Sequence, residues 1–187
     1  MTADTVTVTP EKLLPFIPIT TPSYNWLNWV VTHTPKTCLL CLAYQGKIYS
    51  VYEIPFPAPP LYPNCRCKLL PLPSLAAGTA THEGMDGADW WIKHYKMLPP
   101  YYLSKTSYKA LGWKAGKPPV RYAPGKMVSG GIYQNFDGLL PSAPGRVWYE
   151  ADLNYYRGKR NTHRILWSND GLVFVTYDHY LTFIEVR

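Results

Sequence analysis

Two carboxylates, Glu150 and Asp152, stand two positions apart in the run Arg146-Val147-Trp148-Tyr149-Glu150-Ala151-Asp152-Leu153-Asn154. Val147, Tyr149, Ala151 and Leu153 alternate with Trp148, Glu150, Asp152 and Asn154, and a period of two is that of a β-strand, so both acids project from one face. A carboxylate in mid-strand needs a partner or a task. Arg157, Lys159, Arg160 and Arg164 follow closely enough to meet the acids from the next strand, so an ion-pair network inside a sheet and a functional site fit this segment equally well. His179, near a late turn, adds the second half of an acid/base pair, since reference pKa values of ~4.3 for Glu and ~6.5 for His provide an ionised base and a partly protonated acid near neutral pH. Lys105, Arg160 and Arg164 supply cations for phosphate oxygens. That inventory fits metal-free cleavage of a phosphodiester. RNA is the natural substrate, because its 2′-hydroxyl is a nucleophile already in place, and the C-terminal part lacks the clustered carboxylates of a two-metal nuclease.

The elements that must position these groups are legible by pattern. Ala88, Trp91, Ile92 and Tyr95 have helical spacing within 85–95, with Asp86 or Asp89 in the first turn and Leu98-Pro99-Pro100 as the stop. Ser104 or Thr106 caps a second short helix through Ala110-Leu111 that Gly112 ends, which sets Lys105 at a helix start where a cation opposes the dipole. Ile132-Tyr133 begins a strand, Gln134 to Gly138 is a turn exposing an amide and an acid, and four strands follow at 146–154, 163–168, 172–177 and 180–186. Asn169-Asp170-Gly171 is a hairpin turn. Helices first and hairpinned strands afterwards give an α+β domain, with N-terminal helices packed on a four- to five-stranded antiparallel sheet.

The 187 residues carry 19 prolines, 16 tyrosines and a formal charge of +7. Five basic and three acidic residues lie up to His82, and 14 basic and nine acidic ones after it, so the charge concentrates in the C-terminal part, where an anionic partner is the default. No signal peptide is recognisable at Met1 to Pro10, and no apolar stretch approaches the ~20 residues of a membrane span. Residues 1–73 form a small Cys- and Pro-rich region, 74–84 a linker of small residues, and 85–187 the catalytic unit. In the first region Leu39 to Tyr44 reads as a strand hairpinned with 49–54. Cys38, Cys41, Cys65 and Cys67 suit one structural zinc ion or two disulfides equally, with His33 and His82 as added candidate ligands.

From about Ala88 to Arg187 the chain resembles the barnase-type microbial ribonucleases. The matching runs include Leu98-Pro99, Ala110-Leu111-Gly112-Trp113, Ala123-Pro124-Gly125-Lys126, Glu150-Ala151-Asp152, Arg160-Asn161 with Arg164-Ile165-Leu166, and Asp178-His179-Tyr180. The resemblance implies the microbial ribonuclease fold and no cofactor for catalysis. It makes Glu150 the general base and His179 the general acid, with Lys105, Arg160 and Arg164 as phosphate-binding cations, Tyr180 as the aromatic of the site and Asp152 as the acid orienting the arginines. Arg146 and Asp170 match a structural ion pair. Asn135 and Asp137 fall on the loop-shaping and base-reading positions of a guanine-recognition loop. Asp137 stands where the family usually has glutamate, Phe136 where it has an arginine, and Gly131 where it has an aspartate near the active-site lysine.

Thr37-Cys38-Leu39-Leu40-Cys41 and Tyr62-Pro63-Asn64-Cys65-Arg66-Cys67 are similar to the cysteine signature ending phage MuF-type head-morphogenesis domains, with Tyr62 in place of the usual histidine. Such domains precede C-terminal nucleases in polymorphic toxins. The combined resemblance implies a monomeric RNA-cleaving toxin exported without a classical signal peptide, acting in a target-cell cytoplasm and restrained by an acidic barstar-like immunity protein. The competing expectations are a phage-derived structural protein that binds nucleic acid without cutting it, and a zinc-knuckle RNA-binding module.

Overall fold

A computed structural model describes residues 24–34, 37, 39–53 and 55–187. In chain order, β1 (Trp26–Val30), α1 (Leu39–Leu42), β2 (Ile48–Ser50) and β3 (Lys68–Pro71) precede β4 (Ser74–Leu75), α2 (Ala88–Tyr95), β5 (Tyr102–Ser104) and α3 (Lys105–Ala110). Then come β6 (Met127–Tyr133), β7 (Trp148–Asp152), β8 (Arg164–Ser168), β9 (Val173–Thr176) and β10 (Ile184–Val186).

The large sheet has seven strands in the order β4-β10-β9-β8-β7-β6-β5. Its centre, β6 to β10, is antiparallel as expected, but both edge strands pair in parallel with their neighbours, so the four- to five-stranded antiparallel expectation is corrected. The added strands span only two and three residues, too short to show alternation, and only tertiary pairing identifies them.

α2 buries Ala88 and Ile92 against Ala151, Leu153, Ile165, Val173, Val175 and Val186 on one face of the sheet. Each buried Val, Leu or Ile of this cluster contributes roughly 1.5–3 kcal/mol. The helix begins at Ala88, three residues later than the pattern indicated, because Gly84–Asp86 forms a separate 3-10 turn. Asp89, wholly buried, turns back to the chain before it: its carboxylate accepts from the amides of Gly78 (2.7 Å) and Ala80 (2.9 Å) and from the Thr81 hydroxyl (3.1 Å). Residues 74–84, read as a linker, thus contribute β4 and a set of amides held by α2. α3 is capped as expected, with Ser104 Oγ accepting from the Ser107 amide at 3.0 Å.

The opposite face buries Trp148, Leu166, Phe174, Phe183 and Leu140 together with Ile48 and Leu72 from the N-terminal region. That region forms a separate three-stranded antiparallel sheet, β2-β1-β3. The expected hairpin of 39–44 with 49–54 is not formed. Leu39–Leu42 is a helical turn that directs Cys41 inward and leaves its three leucines exposed, and β2 pairs with β1, which offers the buried Trp29 as its anchor. Ile54, at the end of the expected strand, lies outside the described residues.

Candidate active site

β7 runs through the centre of the site. Its register sets Glu150 against Gly131 of β6 and Leu166 of β8, and Asp152 against Arg164. β6 is bulged between Ser129 and Gly131, which tightens local twist and re-aims neighbouring side chains. A Cβ at Gly130 would stand 2.5 Å from Glu150 Cγ and 2.8 Å from its carbonyl oxygen. Gly131 has φ +107°, and a Cβ there would meet open space. The two glycines therefore differ in purpose: one makes room for the carboxylate and the other makes the bend.

Glu150 is half-buried, and its Oε2 accepts from the Tyr180 hydroxyl at 2.6 Å. Burial first, and then the bond to this carboxylate, push the Tyr180 phenol well above its ordinary range, so it remains a donor. The Tyr180 ring stacks on Tyr133 (5.4 Å between centroids) and lies 4.8 Å from the His179 ring. His179 is exposed on the β9–β10 loop, and it and Tyr180 both take left-handed backbone angles, φ +61° and +70°. Each such residue costs on the order of 1–2 kcal/mol, and strain of this kind gathers where geometry serves function. Asp178 holds the loop in place, accepting from the amides of Leu181 (3.1 Å) and Thr182 (2.9 Å) and from the hydroxyls of Thr176 (2.9 Å) and Thr182 (2.6 Å). Burial raises the Asp178 pKa, but these donors outweigh it and hold the carboxyl below the ordinary range.

Asp152, 2 % exposed, is the counter-ion of both arginines. Arg160 gives it Nε at 3.0 Å and Nη2 at 2.6 Å, and the carboxylate bond is the main cause of Arg160's raised pKa. Arg164 Nε lies 3.2 Å from Asp152 Oδ1, close enough to pair but not aligned as a hydrogen bond, while its Nη1 donates to the carbonyls of Asn161 (2.8 Å) and His163 (2.6 Å). Arg164 is itself only 2 % exposed. Of the two guanidinium groups, Arg160's reaches solvent, and Arg164 is a cross-strand ion partner beneath it.

The structure thus brings Glu150, Asp152, Arg160, Arg164, Tyr180 and His179 into one neighbourhood. Lys105 is exposed at the first position of α3, directly after Ser104, whose strand partner Ser129 is in turn paired with Ala151. Asn135 closes the 135–140 loop, its side chain donating to Leu140 O (2.8 Å) and accepting from Leu140 N (3.0 Å). Asp137 is exposed on that loop beside Phe136. The loop is braced from behind, where the Ile48 amide donates to Leu139 O at 2.9 Å. Arg146 and Asp170 form the expected ion pair at 2.8 Å.

Cys41, Cys65 and Cys67 gather away from this site, and Cys38 lies outside the described residues. Among the described residues the group of metal-ligating side chains found there is these three cysteines, without His33 or His82. Gly130, Tyr133 and Asp178 join the site without having been singled out by sequence pattern. The Gly130-Gly131 pair sits inside the apolar frame Met127, Val128, Ile132, and that frame is the signal of a bulged strand where the glycines alone suggest a loop.

Chemically, a half-buried carboxylate and an exposed imidazole are joined through one tyrosine beside a fixed pair of guanidinium groups. Such a face can take a proton on one side of a phosphate, return one on the other, and neutralise the charge between.

The sequence model of a family described as ribonuclease matches residues 92–187. The chain is 46 % identical over 103 residues to a ribonuclease of Heyndrickxia coagulans, covering 54 % of this chain and 94 % of that protein. It is equally similar, 46 % over 103 residues, to ribonucleases of Bacillus intermedius and Bacillus pumilus, of which it spans 64 % of the length. On these likenesses the chain belongs to the ribonuclease family.

Proposed function

We propose that the chain is a metal-independent endoribonuclease that cleaves single-stranded RNA by transesterification, with a preference for guanine. The observation that carries this reading is the Glu150 carboxylate, held at 2.6 Å by Tyr180 beside the Asp152-bound arginines, with His179 against the same tyrosine. Glu150 takes the 2′-hydroxyl proton, O2′ attacks phosphorus, the P–O5′ bond breaks, and His179 delivers its proton to O5′. In the second step His179 takes a proton from water, the hydroxide opens the 2′,3′-cyclic phosphate, and Glu150 returns the proton to O2′, leaving a 3′-phosphate. Arg160 and Lys105 contact phosphate oxygens, with Arg164 fixing Asp152 and Arg160 from below. Each general acid or base of this kind contributes about 10²–10⁴-fold. Asn135 shapes the base-recognition loop and Asp137 reads the base.

The charge of +7 and the N-terminal cysteine signature support a wider role as a toxin. In that role a MuF-like segment belongs to export, the free monomer acts in the cytoplasm of a target cell, and an acidic barstar-like protein protects the producer. Cleavage of end-labelled RNA in EDTA by the purified chain, beside Glu150→Ala and His179→Ala, tests the catalytic reading. Wild type yields a cyclic phosphate and both variants lose most activity. A wild-type chain that retards RNA without cutting it is instead a non-catalytic binding module.

A further inference from the structure

Among the described residues, the N-terminal sheet has only a small core of its own. Among those residues its own cluster buries Trp29, Val31, Cys41 and Cys67, with Tyr44, Tyr49, Leu61, Cys65 and Leu69 packed around them, while Ile48 and Leu72 are buried against the large sheet. A unit of this size needs a staple, either disulfide or metal. At the centre of the cluster stand three sulfurs from two separate chain segments: Cys41 from α1, and Cys65 and Cys67 from the stretch entering β3. All three Sγ atoms lie within 4.8 Å of one another, and Cys41 Sγ is 3.7 Å from Cys65 Sγ. A disulfide holds its sulfurs at about 2.05 Å. A tetrahedral zinc ion with Zn–S bonds of ~2.3 Å holds its thiolates ~3.8 Å apart, the edge of the tetrahedron. The Cys41–Cys65 spacing matches that edge, and the third sulfur lies within 4.8 Å of both. Two of the three thiols are buried, at 1 % and 6 % exposure, and three sulfurs gathered around one point suit a shared metal better than a bond that joins sulfurs in pairs.

We propose that Cys41, Cys65 and Cys67 are ligands of a structural zinc ion that ties α1 to the entry of β3. Cys38, three positions before Cys41 in the sequence, has the chemistry to complete a set of four thiolates. The ion lies apart from the catalytic face and serves the fold. By closing the small sheet it steadies the turn into β2, where the Ile48 amide donates to Leu139 O and a Cβ at Gly46 would meet Leu181 O at 3.3 Å and Leu139 Cδ2 at 3.7 Å. Those contacts back the base-recognition loop and the loop carrying His179.

The test uses the full chain purified under reducing conditions, supplied with zinc and dialysed free of excess. Elemental analysis is expected to find one equivalent of zinc. Replacement by Co²⁺ is expected to give the thiolate-to-cobalt charge-transfer band and the visible bands of tetrahedral cobalt. Cys65→Ser and Cys67→Ser are each expected to lose most of the metal. Because such variants can fail to fold, the wild-type chain is also analysed by intact mass without reductant. Zinc-free protein with cysteines joined as disulfides overturns the proposal, as does zinc-free protein with all thiols reduced, or a cobalt spectrum lacking thiolate bands. None of these readouts measures RNA cleavage, so the catalytic reading and the zinc site fail separately.

Discussion

Replacing Gly130 with alanine adds one methyl group and is expected to disable the enzyme without dismantling it. The new Cβ would stand 2.5 Å from Glu150 Cγ, 2.8 Å from the Glu150 carbonyl oxygen and 2.9 Å from Oε1. Reaching ordinary contact at 3.4 Å asks Cγ to retreat by about 0.9 Å. The side chain can swing, but the carbonyl is backbone, so β6 and β7 must part locally as well. Overpacking of this degree costs about 1–3 kcal/mol, a loss the fold can survive. A carboxylate displaced by about 1 Å forfeits roughly 100-fold in rate. The expected outcome is a folded Gly130→Ala chain whose kcat on a dinucleotide substrate falls about 100-fold. Gly131→Ala is the control. It meets no atom within 4 Å but must adopt φ +107°, so it lowers the unfolding midpoint through strain of about 1–3 kcal/mol and keeps its rate at temperatures where it is folded. Circular dichroism and single-turnover cleavage on both variants decide the matter. A folded Gly130→Ala protein within about threefold of wild-type kcat, far short of the loss that a 1 Å displacement brings, would refute the claim that the bulge positions Glu150 for catalysis.

Tyr180→Phe removes the 2.6 Å hydroxyl from Glu150, and a bond to a charged group of about 1.5–3 kcal/mol predicts at least a tenfold loss in kcat/KM, read by steady-state cleavage. Asp152→Asn strips the counter-ion from buried Arg164 and is expected to cost about 3–5 kcal/mol in urea unfolding. Asn135→Ala opens both bonds closing the 135–140 loop, and is expected to raise KM and relax base preference on a set of dinucleotides more than it lowers kcat. Asp178 has its carboxyl held below the ordinary value of 3.8, so its ionised form favours the fold. That stability is present above pH 3.8 and is lost as pH falls through the lower folded value. Thermal midpoints of wild type and Asp178→Asn should therefore differ near neutrality and converge in acid.

Much of this architecture is legible in the sequence. The alternation around Glu150 and Asp152, the Ser104 cap and the Asn169-Asp170-Gly171 turn are local signals, and each element forms where its signal lies. What the pattern misplaces depends on distant partners. Leu39 to Tyr44 has the composition of a strand, but the inward pull on Cys41 winds it into a helical turn. Arg164 has the chemistry of a phosphate ligand, yet its register opposite Asp152 buries it. Gly130 gives no hint of its purpose, because Glu150, whose side chain it accommodates, belongs to another strand.

β4 has a consequence for how such a nuclease can be moved between carrier chains. Ser74–Leu75 runs beside Glu185–Val186, and the Ala77 amide meets Arg187 O at 2.7 Å, sealing the last strand. A graft that begins at Ile92, where the family match starts, would leave this seal behind and present bare main-chain groups as a sticky margin. One whose junction falls before Ser74 brings its own closure. The portable cassette is therefore longer than the stretch by which its kinship is recognised, and recombination that preserves solubility should place its breakpoints upstream of Ser74.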